Sequence, residues 1–272
     1  MSFAQLKDVQ IHYDLAGPWD APAVVFSNSL GATLSMWDPQ MPIFRKRFRV
    51  LRYDTRGHGQ SSVTPGGYSI EQLAGDVLAL LDELKLDRVH FCGLSMGGQT
   101  GMWLAVKAPA RLHKLVLCNT AAKIGSPETW NPRIEAVRRG GTKAISAAVM
   151  ERWFSASYRM NFPDVVTSTK MAFEGTNSDG YIANCAAIRD FDAREAIAGI
   201  RLPTLVIAGT QDAATTPVDG RYLADRVTGA RYAELNAAHL SNIEDPDHFS
   251  HEVSTFLGSE ETNRAGQKGL QA

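Results

Sequence analysis

Short apolar runs alternate with longer amphipathic ones along most of this chain, and that alternation predicts a largely parallel sheet with helices on both faces. Strand-length segments stand at residues 9–15, 23–26, 48–53, 89–92, 114–118, 204–208 and 231–235. Ahead of the fourth, Ile70, Leu73, Val77, Leu80, Leu81 and Leu84 recur at helical spacing and predict a helix that packs its apolar stripe on the sheet. The order breaks between residues 121 and 201. Helical patterns such as 144–154 are separated there by Gly140-Gly141, Phe162-Pro163 and residues 175–180, without strand runs. An insertion at that point lies over the carboxyl ends of the strands, where open α/β sheets bind ligands. The expected organisation is a core of residues 1–120 and 202–257, a helical cap of residues 121–201, and a polar tail of residues 258–272. That tail is aperiodic and should be mobile unless a neighbour holds it.

Composition narrows the function without naming it. The 272 residues are 44% apolar and 21% charged, ample for a full core. Lys and Arg number 28 against 29 Asp and Glu, so the net charge of -1 gives no footprint for nucleic acid or an anionic membrane. The basic run Arg45-Lys46-Arg47-Phe48-Arg49 leads into a strand and reads as the solvated end of a preceding helix. Cys92, Cys118 and Cys185 are not at metal-ligand spacing and read as small core hydrophobes. Residues 1–15 hold no signal-type apolar stretch, and no segment approaches the roughly 20 apolar residues of a membrane span. A cytoplasmic protein is the simplest expectation.

The chemistry concentrates at Gly93-Leu94-Ser95-Met96-Gly97, between a buried strand and a helical segment at 99–108. A residue at so sharp a turn is forced into a strained conformation, tolerable only where its neighbours two before and two after lack side chains. Ser95 is therefore a candidate nucleophile. Its hydroxyl needs a base and an acid to orient that base, in the order Ser, acid, His. Asp212 ends the apolar segment 202–212 at the same sheet edge, whereas Asp219 and Asp225 fall on the helix expected next. Of seven histidines, His12 and His90 lie in strands, His113 precedes one, and His248 and His251 belong to a helix beginning near Pro246. His239 alone follows the last strand in a loop. His58, in Asp54-Thr55-Arg56-Gly57-His58-Gly59-Gln60-Ser61, sits in a Gly-rich turn suited to supporting loop geometry. Oxyanion donors are expected from the backbone N–H of Met96 and from the loop Ser27-Asn28-Ser29-Leu30-Gly31, with Leu30 preferred over Ser29.

At these residues the chain resembles the α/β-hydrolase superfamily over nearly its whole length, which implies a mostly parallel sheet flanked by helices with an inserted helical cap. Within it, Ser27-Asn28-Ser29-Leu30-Gly31, residues 53–61, Gly93-Leu94-Ser95-Met96-Gly97-Gly98, Thr129-Trp130-Asn131-Pro132-Arg133-Ile134 and Arg152-Trp153-Phe154 resemble the 3-oxoadipate enol-lactonases. The resemblance implies hydrolysis of an anionic small-molecule lactone through an acyl-enzyme, in aromatic-compound breakdown, with no cofactor or metal. An unpaired buried carboxylate is expensive, so the substrate's acetate arm calls for a cap arginine. Arg133 is the first candidate and Arg152 the second, with Trp130 and Trp153 as walls for a flat ring. Two other readings fit the same residues: another hydrolase on this scaffold, such as a short-chain carboxylesterase, a carbon–carbon bond hydrolase or a perhydrolase, and a ligand receptor with slow hydrolysis.

Overall fold

The computed structural model describes residues 2–259; of the tail, residues 260–272 lie outside the described residues. Eight strands form one sheet: β1 Ser2–Gln5, β2 Gln10–Ala16, β3 Ala23–Ser27, β4 Arg49–Tyr53, β5 Val89–Leu94, β6 Leu112–Cys118, β7 Thr204–Gly209 and β8 Arg231–Leu235. Their order is β1-β2-β4-β3-β5-β6-β7-β8. The β1–β2 and β2–β4 pairings are antiparallel, and the remaining pairings are parallel.

Successive strand side chains point to opposite faces, so each central strand feeds two cores. Val24, Phe26, Cys92, Leu94, Val116, Cys118, Leu205 and Ile207 enter one. Val25, Phe91, Leu115, Leu117 and Val206 enter the other. Helices cover both faces, which is why every residue of β3, β5 and β7 is buried and why these segments read as unbroken apolar runs. The helix Ile70–Glu83 starts where the Ser69 side chain accepts the Gln72 N–H. It buries Leu73, Val77, Leu80 and Leu81 as their spacing predicts. Burial of each such side chain contributes about 1.5–3 kcal/mol.

The α/β expectation holds, with local differences. Strand β1 carries one buried residue in four and no readable alternation; it exists because Phe3 and its neighbours pair with β2. His113, expected just before a strand, lies inside β6. The helix after Ser95 begins at Met96 rather than 99, because the tight turn passes directly into helical geometry. Asp219 and Asp225 both sit on the helix Pro217–Arg226, where Asp219 closes a capping box with Thr216. Between β6 and β7 the chain forms the helices Pro127–Gly140, Ser146–Trp153, Ala156–Asn161, Pro163–Glu174 and Ser178–Asp190. At the carboxyl end, Lys114 Nζ donates to the carbonyls of Phe256 and Leu257, the last turn of the helix Pro246–Gly258. Among the described residues no helix is long and apolar enough to cross a membrane.

Candidate active site

Ser95 sits at φ +56°, ψ -112°, a conformation that costs a non-glycine residue about 1–3 kcal/mol. The surrounding backbone fixes it there. Its N–H donates to the Cys118 carbonyl at 2.9 Å, and its own carbonyl accepts the Gln99 N–H at 3.1 Å and the Thr120 hydroxyl at 2.7 Å. The glycines are dictated by contact: a Cβ on Gly93 would stand 2.1 Å from the Gly97 carbonyl oxygen, and one on Gly97 would stand 2.2 Å from that of Ser27. These are backbone atoms and cannot swing away.

Ser95 and His239 line a single cavity of about 470 Å³. Asp212 lies behind the histidine, its Oδ2 2.8 Å from His239 Nδ1. That carboxylate is thoroughly solvated by the protein. Oδ2 also accepts from Asn119 Nδ2 at 3.0 Å and Thr215 Oγ1 at 2.8 Å, and Oδ1 accepts the N–H groups of Ala214 and Thr215. Burial opposes its ionisation, but the charge and hydrogen bond of His239, the Thr215 N–H and the Asn119 amide together hold its pKa down to about 2. A permanently ionised Asp212 fixes a proton on His239 Nδ1 and leaves Nε2 free to act as an acceptor.

The expected oxyanion donors are the backbone N–H groups of Met96 and Leu30. Met96 opens the helix Met96–Lys107, where first-turn N–H groups lack intrahelical acceptors. The next N–H, that of Gly97, is taken by the Asn28 carbonyl at 3.0 Å. Leu30 lines the cavity on the facing loop. His58, fully buried, shapes that loop: its Nε2 accepts the Gly31 N–H at 2.8 Å. Burial lowers the His58 pKa to about 4, against the weaker upward pull of the Arg56 carbonyl and Asp54. The ring is therefore a neutral acceptor near pH 7. Asn28 holds the loop from the other end, donating to the Tyr53 carbonyl and accepting from Trp37 Nε1.

Arg133, Trp130, Arg152 and Trp153 all line the same cavity, on the helices Pro127–Gly140 and Ser146–Trp153. Arg133 is half-buried and held between Tyr181 and Trp130. Its Nε donates to the Tyr181 hydroxyl at 2.8 Å, Nη2 donates to the same oxygen, and its Cζ stands 5.3 Å from the Trp130 ring and 5.6 Å from the Tyr181 ring. Arg152 is exposed and reaches the cavity from the solvent side. Trp153 meets Phe173 edge to face at 5.5 Å, and Phe173 meets Tyr181 in the same way.

Three contributors go beyond the residues singled out in the sequence: Thr215, Tyr181 and Asn119. Tyr181 becomes a neighbour of Arg133 only through tertiary contact, whereas Thr215 meets Asp212 in a turn three residues on, a pairing the local sequence does not single out. Asn119 left a faint signal, an Asn directly after a strand, where it adopts φ +44°. Among the described residues no group of three His, Cys, Asp or Glu is placed to hold a metal ion.

The sequence profile of the α/β hydrolase fold matches residues 22–246. The chain is 41% identical over 251 residues to 3-oxoadipate enol-lactonase 2 of Acinetobacter baylyi, covering 92% of this chain and 94% of that protein. It is also 41% identical to 3-oxoadipate enol-lactonase 1 of the same organism, with 89% and 91% covered. The crystal structure of the enol-lactonase from Burkholderia xenovorans LB400 superposes with a TM-score of 0.94 at 50% identity, covering 95% of this chain and all of that one. With a family match over most of its length and relatives this similar, the chain belongs to the α/β hydrolase fold family.

Proposed function

We propose that this protein hydrolyses 3-oxoadipate enol-lactone to 3-oxoadipate, as a serine hydrolase of the β-ketoadipate route of aromatic breakdown. The observation that carries the reading is one cavity walled by Ser95, His239 and an arginine locked in place by Tyr181 and Trp130. A nucleophile, its base and a fixed cation fit a small carboxylate-bearing ester better than a neutral one. Similarity to proteins named enol-lactonases supports the choice of lactone.

In this mechanism Ser95 Oγ attacks the ring carbonyl while His239 Nε2 takes its proton, and Asp212 stabilises the resulting imidazolium. The Leu30 and Met96 N–H groups receive the oxyanion, each donor being worth about 10²–10³ in rate. The ring C–O bond then breaks and releases an enolate, which takes the proton from His239 and becomes the ketone, leaving the imidazole neutral again. Because an enolate leaves more readily than an alkoxide, ring opening leans little on proton donation. Water, deprotonated by His239, cleaves the acyl-enzyme. Arg133 pairs with the acetate carboxylate throughout, with Arg152 at the mouth.

The test is hydrolysis of the enol-lactone, followed by absorbance, beside a panel of neutral p-nitrophenyl esters. The lactone should be preferred by kcat/KM, and Ser95→Ala should lose several powers of ten with its fold intact. Preference for short neutral esters would make the protein a carboxylesterase. Binding with negligible turnover would make it a receptor.

A further inference from the structure

We infer that Glu244 is a positioning residue that sets His239 and the cavity wall at Trp153 as one unit; the inference rests on the reading of His239 as the base. The Glu244 carboxylate accepts three hydrogen bonds from two parts of the chain. Oε2 receives the Ala238 N–H at 3.0 Å and the Ser155 N–H at 3.1 Å, and Oε1 receives the Ser155 hydroxyl. Ala238 immediately precedes His239. Ser155 follows Trp153-Phe154 and caps the helix Ala156–Asn161 through the Tyr158 N–H.

Around this carboxylate the His239 backbone is bracketed on every side. The Ala238 carbonyl accepts from Asn119 Nδ2 at 3.1 Å, the amide that also holds Asp212. The Leu240 N–H donates to the Trp153 carbonyl at 3.0 Å, and the Tyr158 hydroxyl donates to the Ile243 carbonyl at 3.3 Å. The residues before and after the histidine are thus tied to the corner that carries Trp153. Since a displacement of about 1 Å can cost 10²-fold in rate, a bond that fixes both the base and a substrate wall acts on turnover. No substrate atom needs to touch it.

The chemistry predicts which replacements work. Glutamine keeps an oxygen for the two N–H groups and can turn its NH2 toward the Ser155 hydroxyl, which accepts as readily as it donates. Alanine leaves both N–H groups without their acceptor. Aspartate, one methylene shorter, cannot span both.

The experiment measures three things on wild type, Glu244→Ala and Glu244→Gln: labelling rate by a fluorophosphonate probe at Ser95, kinetics on the enol-lactone and p-nitrophenyl acetate, and thermal melting. Glu244→Ala should melt cooperatively yet lose about 10- to 100-fold in labelling and in kcat on both substrates, with KM little changed. Glu244→Gln should recover most of that loss. If the alanine variant does not fold, Glu244→Asp should show the same loss. Wild-type labelling in Glu244→Ala would overturn the inference, as would a glutamine variant as slow as alanine or a loss confined to the anionic lactone. A wild type that resists the probe removes the base and this inference together. A wild type that takes the probe but leaves the lactone closed sinks the lactonase reading alone.

Discussion

Acid should loosen this fold through His58, and removing the ring should remove that part of the sensitivity. The imidazole is 1% exposed and its Nε2 accepts the Gly31 N–H, so protonation there would set a donor against a donor inside the protein. Burial holds its pKa at about 4, below the ordinary 6.5 that applies once the chain unfolds. Between those values the unfolded state binds more protons than the native one. Stability therefore falls as pH drops from 6.5 toward 4 and, for this group, falls no further below. The gap between the two pKa values corresponds to about 3 kcal/mol, a large share of the 5–15 kcal/mol typical of a domain.

The comparison variant is His58→Gln, which can still offer an oxygen to the Gly31 N–H but does not titrate. Urea unfolding followed by tryptophan fluorescence at about pH 7 and pH 4.5 gives the stability of each protein at both values. His90, also lowered to about 4 by burial and nearby positive charge, titrates identically in both and cancels. Wild type should lose about 2–3 kcal/mol more than the variant over this interval. Stability curves that remain parallel for the two proteins would refute the assignment of His58 as a buried neutral acceptor.

Gly97→Ala should destabilise by about 3 kcal/mol in the same urea assay, because the added Cβ meets the Ser27 carbonyl; a change near zero would mean that the loop at Ser27 moves freely. Arg133→Ala should lower kcat/KM on the anionic lactone about 100-fold while sparing neutral esters, and Tyr181→Phe should reproduce the selectivity at about 10-fold by releasing the guanidinium. Equal losses on both substrates would move the carboxylate contact to Arg152. Asp212, held at about 2, stays ionised through any practical assay, so its own titration should add no acid limb to kcat/KM above about pH 4. An acid limb above about pH 4 that disappears in Asp212→Asn would count against an Asp212 held ionised.

What the chain disclosed in advance follows the range over which each constraint acts. Two glycines flanking Ser95 are demanded by contacts within a few residues or with the adjacent strand, so the turn is written locally. The same holds for the helix Ile70–Glu83, whose stripe is a periodicity, and for the unbroken apolar runs of β5 and β7. Strand β1 escaped notice because an edge strand with one buried residue has no pattern to display. The positions of Asp212 and His239 were legible for a different reason. Each follows a strand in the parallel part of the sheet, and parallel strands place their carboxyl ends at one edge.

The supporting residues obey no such rule. Asn119 touches Asp212 across 93 positions, Asn184 reaches the Arg56 carbonyl across 128, and Glu244 reaches Ser155 across 89. Each is an ordinary polar residue at the end of a strand or on a helix, and its role exists only after the chain has closed. Yet these contacts decide whether Asp212 stays ionised, how the Arg56–His58 turn meets the helix Ser178–Asp190, and where His239 stands. On the proposed mechanism the chemistry of the site is encoded twice: the reacting groups by short-range geometry that a sequence displays, and their alignment by long-range hydrogen bonds that it does not. Variants of the first kind should abolish turnover outright, and variants of the second should lower it in proportion to the freedom they restore to the base.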